Sequence, residues 1–174
     1  MPKFSIAIAN RQRGLRFDRH RLIRLVRSVL RQEQVAAAEI SVAILDDAAI
    51  HAINRQFLNH DYPTDVISFL LDCRLVDTRP PRERRHSIRR GAAKAIEGEI
   101  VISAETAASN AARYGISPQD ELALYLVHGL LHLCGYDDLT PQKKRLMRTR
   151  ESEALARFGI VLRRRRKIQH ESPQ

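Results

Sequence analysis

The chain has 174 residues, 44% of them hydrophobic, which is enough for one domain with one ordinary core. Lys and Arg number 30 against 20 Asp and Glu, which excludes a disordered acidic chain and suggests a polyanionic partner. No apolar run approaches the ~20 residues of a membrane span, and Cys73 and Cys134 are too few for a disulfide framework, so the expectation is a reduced, cytoplasmic protein without a leader peptide or membrane contact.

Residues 4–9 alternate with period two and predict a strand. Leu22, Leu25, Val26, Val29 and Leu30 recur at helical spacing, while Arg24, Arg27 and Arg31 share another face with His20, so the first helix is amphipathic with a basic stripe. Residues 40–45 form a second apolar, β-branched run. Asp46 or Asp47 can cap a helix running to about Phe57, which Tyr62-Pro63 brings to an end. Residues 66–71 read as a third strand, and 72–96, rich in Arg and poor in apolar residues, as a long mobile surface loop. Residues 99–102 form a fourth strand, and Ser103 caps a helix that Gly115 closes. Ser117 as cap and Pro118 at the first helical position open the next helix, which stops at Gly135. Thr140-Pro141 opens a last helix to about Phe158. The expected class is α+β: a small mixed sheet of about four strands packed with helices. One domain covers 1–162, followed by a basic, disordered tail over 163–174.

The positive charge is segregated. Residues 11–36 carry eight Arg against Asp18 and Glu33, and the loop and the tail hold most of the remaining excess. Clustered cations of this kind neutralise phosphates and release condensed counterions, the dominant contribution to nucleic-acid affinity at low salt. Aromatic residues make up only 5%, too few for a base-stacking platform, so contact with RNA would rest on phosphates.

The chemistry concentrates in residues 127–138. His128 and His132 are four apart on a helix and project from one face, as two ligands of a single tetrahedral ion require. Gly135 lets the backbone turn back, and Asp138, three residues later, can return to the same ion. Three protein ligands and one open position describe a catalytic zinc site. The spacing matches that of the metzincin proteases, a zincin-like metal-binding helix, but those enzymes need a Glu directly after the first His as general base. Gly129 stands there, so a metallopeptidase lacks its proton acceptor. Cys134, two residues beyond His132, faces elsewhere and is not a ligand.

The segment HGLLHLCGYDD resembles the HGxLHLxGYDH signature of the YbeY endoribonucleases. Asn54, Phe57, Asp61 and the run Pro63-Thr64-Asp65-Val66-Ile67-Ser68-Phe69 are similar to that family's segment ending PTDVLSF, and residues 98–103 to its GDIVIS. The resemblance spans about 4–158 and departs from the pattern in the long Arg-rich loop over 72–96 and at three single residues. Asp138 replaces the family's third His, Leu58 replaces an Arg just before the PTD segment, and Glu99 replaces an Asp.

The resemblance implies a zinc-dependent, single-strand-specific endoribonuclease acting in late-stage ribosomal RNA maturation and ribosome quality control, with ribosomal RNA and ribosomal particles as partners. One zinc ion would sit on His128, His132 and Asp138, with Asp137 as an alternative ligand, outer partner or general base. Arg55, one helical turn before Leu58, is the candidate phosphate contact at the reacting centre. Thr64, Asp65 and Ser68 would line the groove, and Arg24, Arg27 and Arg31 would hold the RNA backbone. Glu121, two turns before His128, is a weak candidate for its outer partner, and His51, His60 and His86 are read as surface residues. The alternative function is a non-catalytic, RNA-binding ribosome assembly factor with a structural metal, which Leu58 favours.

Overall fold

A computed structural model describes residues 1–76, 89–162 and 168–173. In chain order the elements are β1 (Lys3–Asn10), α1 (Arg19–Gln32), β2 (Ala37–Leu45), α2 (Asp47–Leu58), β3 (Val66–Leu75), β4 (Lys94–Ser103), α3 (Ala104–Tyr114), α4 (Pro118–Cys134), α5 (Pro141–Ala156) and β5 (His170–Glu171). The strands form one mixed sheet in the order β1-β2-β4-β3-β5. β1, β2 and β4 run parallel, β3 is antiparallel to β4, and β5 is parallel to β3.

The helix boundaries follow local chemistry. Asp18, Asp46, Ser103, Ser117 and Thr140 each accept a backbone N–H in the first turn of their helix, satisfying a donor with no partner inside it. Gly115 and Gly135 close α3 and α4 in the left-handed region, at φ 67° and 105°.

α4 is buried along nearly its whole length, as a helix apolar on all sides must be. It lies on one sheet face with α1, against Ile40, Val42, Ile100, Ile102 and Val66. A smaller cluster on the opposite face joins Ile50 of α2 to Leu45, Ile67 and Val101, with Leu58 packed on its edge. Side chains alternate along β3, so Val66 and Ser68 face α4 while Ile67 faces α2.

Gly129 sets the close approach of α4 to the sheet. A Cβ there would lie 3.0 Å from Ile100 Cγ2 and 3.3 Å from Val66 Cγ2. The position next to the first His therefore points into the sheet, and the Glu of a metallopeptidase could not act from it.

The structure differs from the sequence reading at two places. The 72–96 segment is not a loop throughout: β3 runs to Leu75 and β4 begins at Lys94, paired across a register shift between Leu70 and Asp72. Residues 77–88 lie outside the described residues. The sheet also has a fifth strand, drawn from the segment expected to be a disordered tail. Val66 pairs with His170 and Ile67 with Glu171. Ile168 is buried beside them. Residues 163–167 and 174 lie outside the described residues.

Candidate metal centre

Among the described residues, one set of three donor side chains converges: ring nitrogens of His128, His132 and His170 all lie within 4.8 Å of one another. His128 and His132 come from successive turns of α4, with their Nε2 atoms 3.0 Å apart. Tetrahedral zinc with nitrogens at about 2.0–2.1 Å separates its ligand atoms by roughly 3.3 Å. The pair needs to open by only a few tenths of an ångström, so His128 and His132 fit such an ion; His170, lying parallel to His132, brings its lone pair to the same ion once its ring turns out of the stack. His170 stacks on His132 with ring centroids 3.7 Å apart and 8° between planes. Ser68 Oγ lies 2.6 Å from His170 Nε2 and fixes that ring.

Behind His128 stands Glu151 of α5, its Oε1 2.5 Å from His128 Nδ1. Both groups are almost wholly buried. A carboxylate on Nδ1 holds the proton there, which leaves the Nε2 lone pair facing the cluster. Burial, helped by the neighbouring His128, pushes the His132 pKa down to about 4. Burial and the two other rings push His170 down as well. A lowered pKa keeps His132 and His170 neutral, the form of the ring that a metal requires.

Asp138 does return toward the helix after Gly135, with Oδ1 3.9 Å from His132 Nε2. It is outside the converging set. Asp137 points elsewhere. Lys143 Nζ donates to its Oδ2 at 2.8 Å and the Leu139 N–H to its Oδ1, and the Lys143 contact holds its carboxyl below the usual range. Glu121 is buried on α4 but is not the partner of His128, which is Glu151.

The groove candidates are occupied by the chain itself. Thr64 Oγ1 donates to the Gln169 carbonyl at 2.6 Å, and the Gln169 N–H donates to Asp65 Oδ2 at 2.9 Å. Ser68 is engaged by His170. Arg55 is exposed on α2, with its guanidinium 3.7 Å from Asp61, which also meets His51. His60 stacks on Tyr62, and both reach Glu171. Arg24, Arg27 and Arg31 are exposed along α1, three and four residues apart as a single stripe.

Sequence reasoning missed Glu151 and His170. Glu151 carried a legible signal: Met147, Arg150, Glu151, Ala154 and Leu155 form the buried stripe of α5, and a carboxylate on such a stripe needs a buried partner. His170 carried none, because its partners are more than a hundred residues away in the case of Ser68.

Asp65 gives the site a pH signature. Burial raises its pKa from 3.8 to about 6, partly offset by the Gln169 N–H. Below about pH 4 it is neutral in folded and unfolded chains alike. Between about 4 and 6 the unfolded chain has already lost its proton and the fold has not, so stability falls as pH rises, by roughly 2–3 kcal/mol in all. Asp65→Asn keeps an oxygen for Gln169 and has no proton to lose. Its stability relative to the parent, from urea midpoints, should therefore grow by that amount between about pH 4 and 7. A difference that stays flat with pH would refute the assignment.

The chain is similar over most of its length to known proteins. The family described as Endoribonuclease YbeY matches residues 7–159. The endoribonuclease YbeY of Rhodopirellula baltica is 42% identical over 146 residues, covering 78% of this chain and 66% of that protein. The endoribonuclease YbeY of Pelotomaculum thermopropionicum is 37% identical over 141 residues, covering 80% of this chain and 86% of that protein. The solution structure of TM1509 from Thermotoga maritima has a TM-score of 0.51 at 19% identity, covering 88% of this chain and 91% of that one, and bears on the fold. No helix among the described residues is long and apolar enough to cross a membrane. The family match takes in His128, His132, Asp138 and Glu151 and ends before His170. A pair of helical histidines, the first of them buried and backed by a carboxylate, on a mixed sheet, thus coincides with similarity over most of the chain: the protein belongs to the endoribonuclease YbeY family.

Proposed function

We propose that this protein is a zinc-dependent endoribonuclease that cuts single-stranded RNA in the cytoplasm, in late-stage ribosomal RNA maturation and ribosome quality control. The observation that carries this reading is the convergence of histidine nitrogens with Glu151 fixed behind His128. His128 and His132 hold the ion, and a third donor comes from Asp138 or from His170. A zinc ion bound there would supply a Lewis acid and would make water more acidic.

The chain's own groups do the rest. Glu151 locks the His128 tautomer. Arg24, Arg27 and Arg31 hold phosphates of ribosomal RNA or of a ribosomal particle. Arg55 leaves Asp61 to meet a phosphate at the reacting centre. Thr64, Asp65 and Ser68 shape the floor of the cleft through the strand they anchor. Asp137, the general-base candidate of the sequence, is turned to Lys143 and away from the cluster.

Purified protein and a labelled single-stranded RNA test this. Cleavage should stop with a chelator and return with added zinc, and double-stranded RNA should stay intact. Cleavage that survives the chelator would sink the metal mechanism. A second reading, a non-catalytic assembly factor, is favoured by Leu58, which packs on the apolar cluster of α2 instead of offering a cation. RNA binding without cleavage under every metal condition would select it.

A further inference from the structure

The signature at the end of α4 places Asp138, a carboxylate, where the resembling family has its third His. The structure nevertheless gathers three imidazoles, and the third comes from β5, beyond the residues matched by the family. His170 is held there from both sides in sequence. On one side, Gln169 is pinned by Thr64 Oγ1, by Asp65 Oδ2 and by the Asp65 N–H at 3.2 Å. On the other, Glu171 receives the Tyr62 hydroxyl at 2.7 Å and meets His60 Nδ1 at 3.0 Å.

Strand alternation explains why these anchors work together. His170 is in register with Val66, whose side chain faces α4, and Glu171 with Ile67, which faces α2. One strand thus directs its imidazole to the histidine cluster and its carboxylate to the opposite face, where His60 and Tyr62 lie. A shift by one residue would exchange the two and place an acid in the cluster.

We propose that the C-terminal strand completes the metal centre, with His170 as its third protein donor in place of Asp138. The proposal rests on reading the cluster as a metal centre. It makes metal loading depend on the docking of β5, and it gives Thr64, Asp65, His60 and Tyr62 a positioning role toward the ion.

Cobalt(II) titration of the full chain tests it, read by affinity and by absorption. His170→Ala should weaken binding by more than about a hundredfold, since losing even an outer partner of a ligand costs 10–100-fold. It should also change the visible bands. His170→Cys should recover binding and add a near-ultraviolet thiolate-to-cobalt band that the parent lacks. Asp138→Ala should bind within about threefold of the parent, because at 3.9 Å from His132 Nε2 its carboxylate is neither a donor to the ion nor hydrogen-bonded to that ring. Far-ultraviolet dichroism checks that each variant folds, and the cysteine variant keeps the test decisive if the alanine variant does not.

The proposal is overturned if His170→Ala keeps parental affinity and spectrum, if His170→Cys binds without the new band, or if Asp138→Ala loses binding as His128→Ala does. His128→Ala separates the two levels of the argument. If it abolishes binding while His170→Ala does not, only the third donor is misassigned. If the parent binds no cobalt, or His128→Ala binds as the parent does, the metal centre itself falls, and the proposal with it.

Discussion

Replacing His128 by alanine is expected to remove bound metal and RNA cleavage together, each by at least about a hundredfold. His128 sits at the middle of the site: Nε2 faces His132 at 3.0 Å and Nδ1 meets Glu151 at 2.5 Å. Loss of the ring takes away one donor and strands the Glu151 carboxylate in a buried position, which costs about 1–3 kcal/mol of stability or more. The double variant His128→Ala/Glu151→Gln should recover much of that stability and none of the cleavage. Elemental analysis, a thermal melt and an RNA cleavage assay measure the three quantities. Cleavage retained by a folded, metal-free His128→Ala protein would disprove the proposed chemistry.

Glu151 carries the second large effect. It acts through His128, deciding which nitrogen of that ring presents a lone pair. Glu151→Gln preserves an acceptor for the Nδ1 proton and removes the charge. A loss of metal affinity of about tenfold is expected, with Glu151→Ala nearer a hundredfold. Because the carboxylate acts through the metal, excess zinc should rescue cleavage in Glu151→Gln more fully than in His128→Ala. Equal zinc affinity in Glu151→Ala and the parent would show that the buried contact is only a packing detail.

The sequence pattern and the structure agree where the chemistry is local and part where it is not. The spacing of His128 and His132, the Gly135 turn and the return of Asp138 are written within eleven consecutive residues; the pair and the turn form as the spacing implies, while Asp138 comes back only to 3.9 Å from His132 Nε2 and stays outside the converging set. Caps behave the same way, because Ser117 or Thr140 satisfies donors only three residues on. Gly129 is an intermediate case. Its missing side chain is visible in the sequence, but the reason for it, contact with Ile100 and Val66, belongs to the packed sheet.

The sequence alone determined the amphipathic α1 with its exposed Arg24, Arg27 and Arg31, four of the five strands, and the helical histidine pair, since periodicity and capping act over a few residues. Tertiary structure decided the rest. It brought Glu151 to His128 from another helix, bound Thr64 and Asp65 to Gln169, and returned His170 across more than a hundred residues to Ser68. Local propensity carries no information about such pairings. Residues 168–171 hold too few apolar groups to form a strand unaided, and they order only because the edge of β3 offers unpaired backbone groups and a buried place for Ile168.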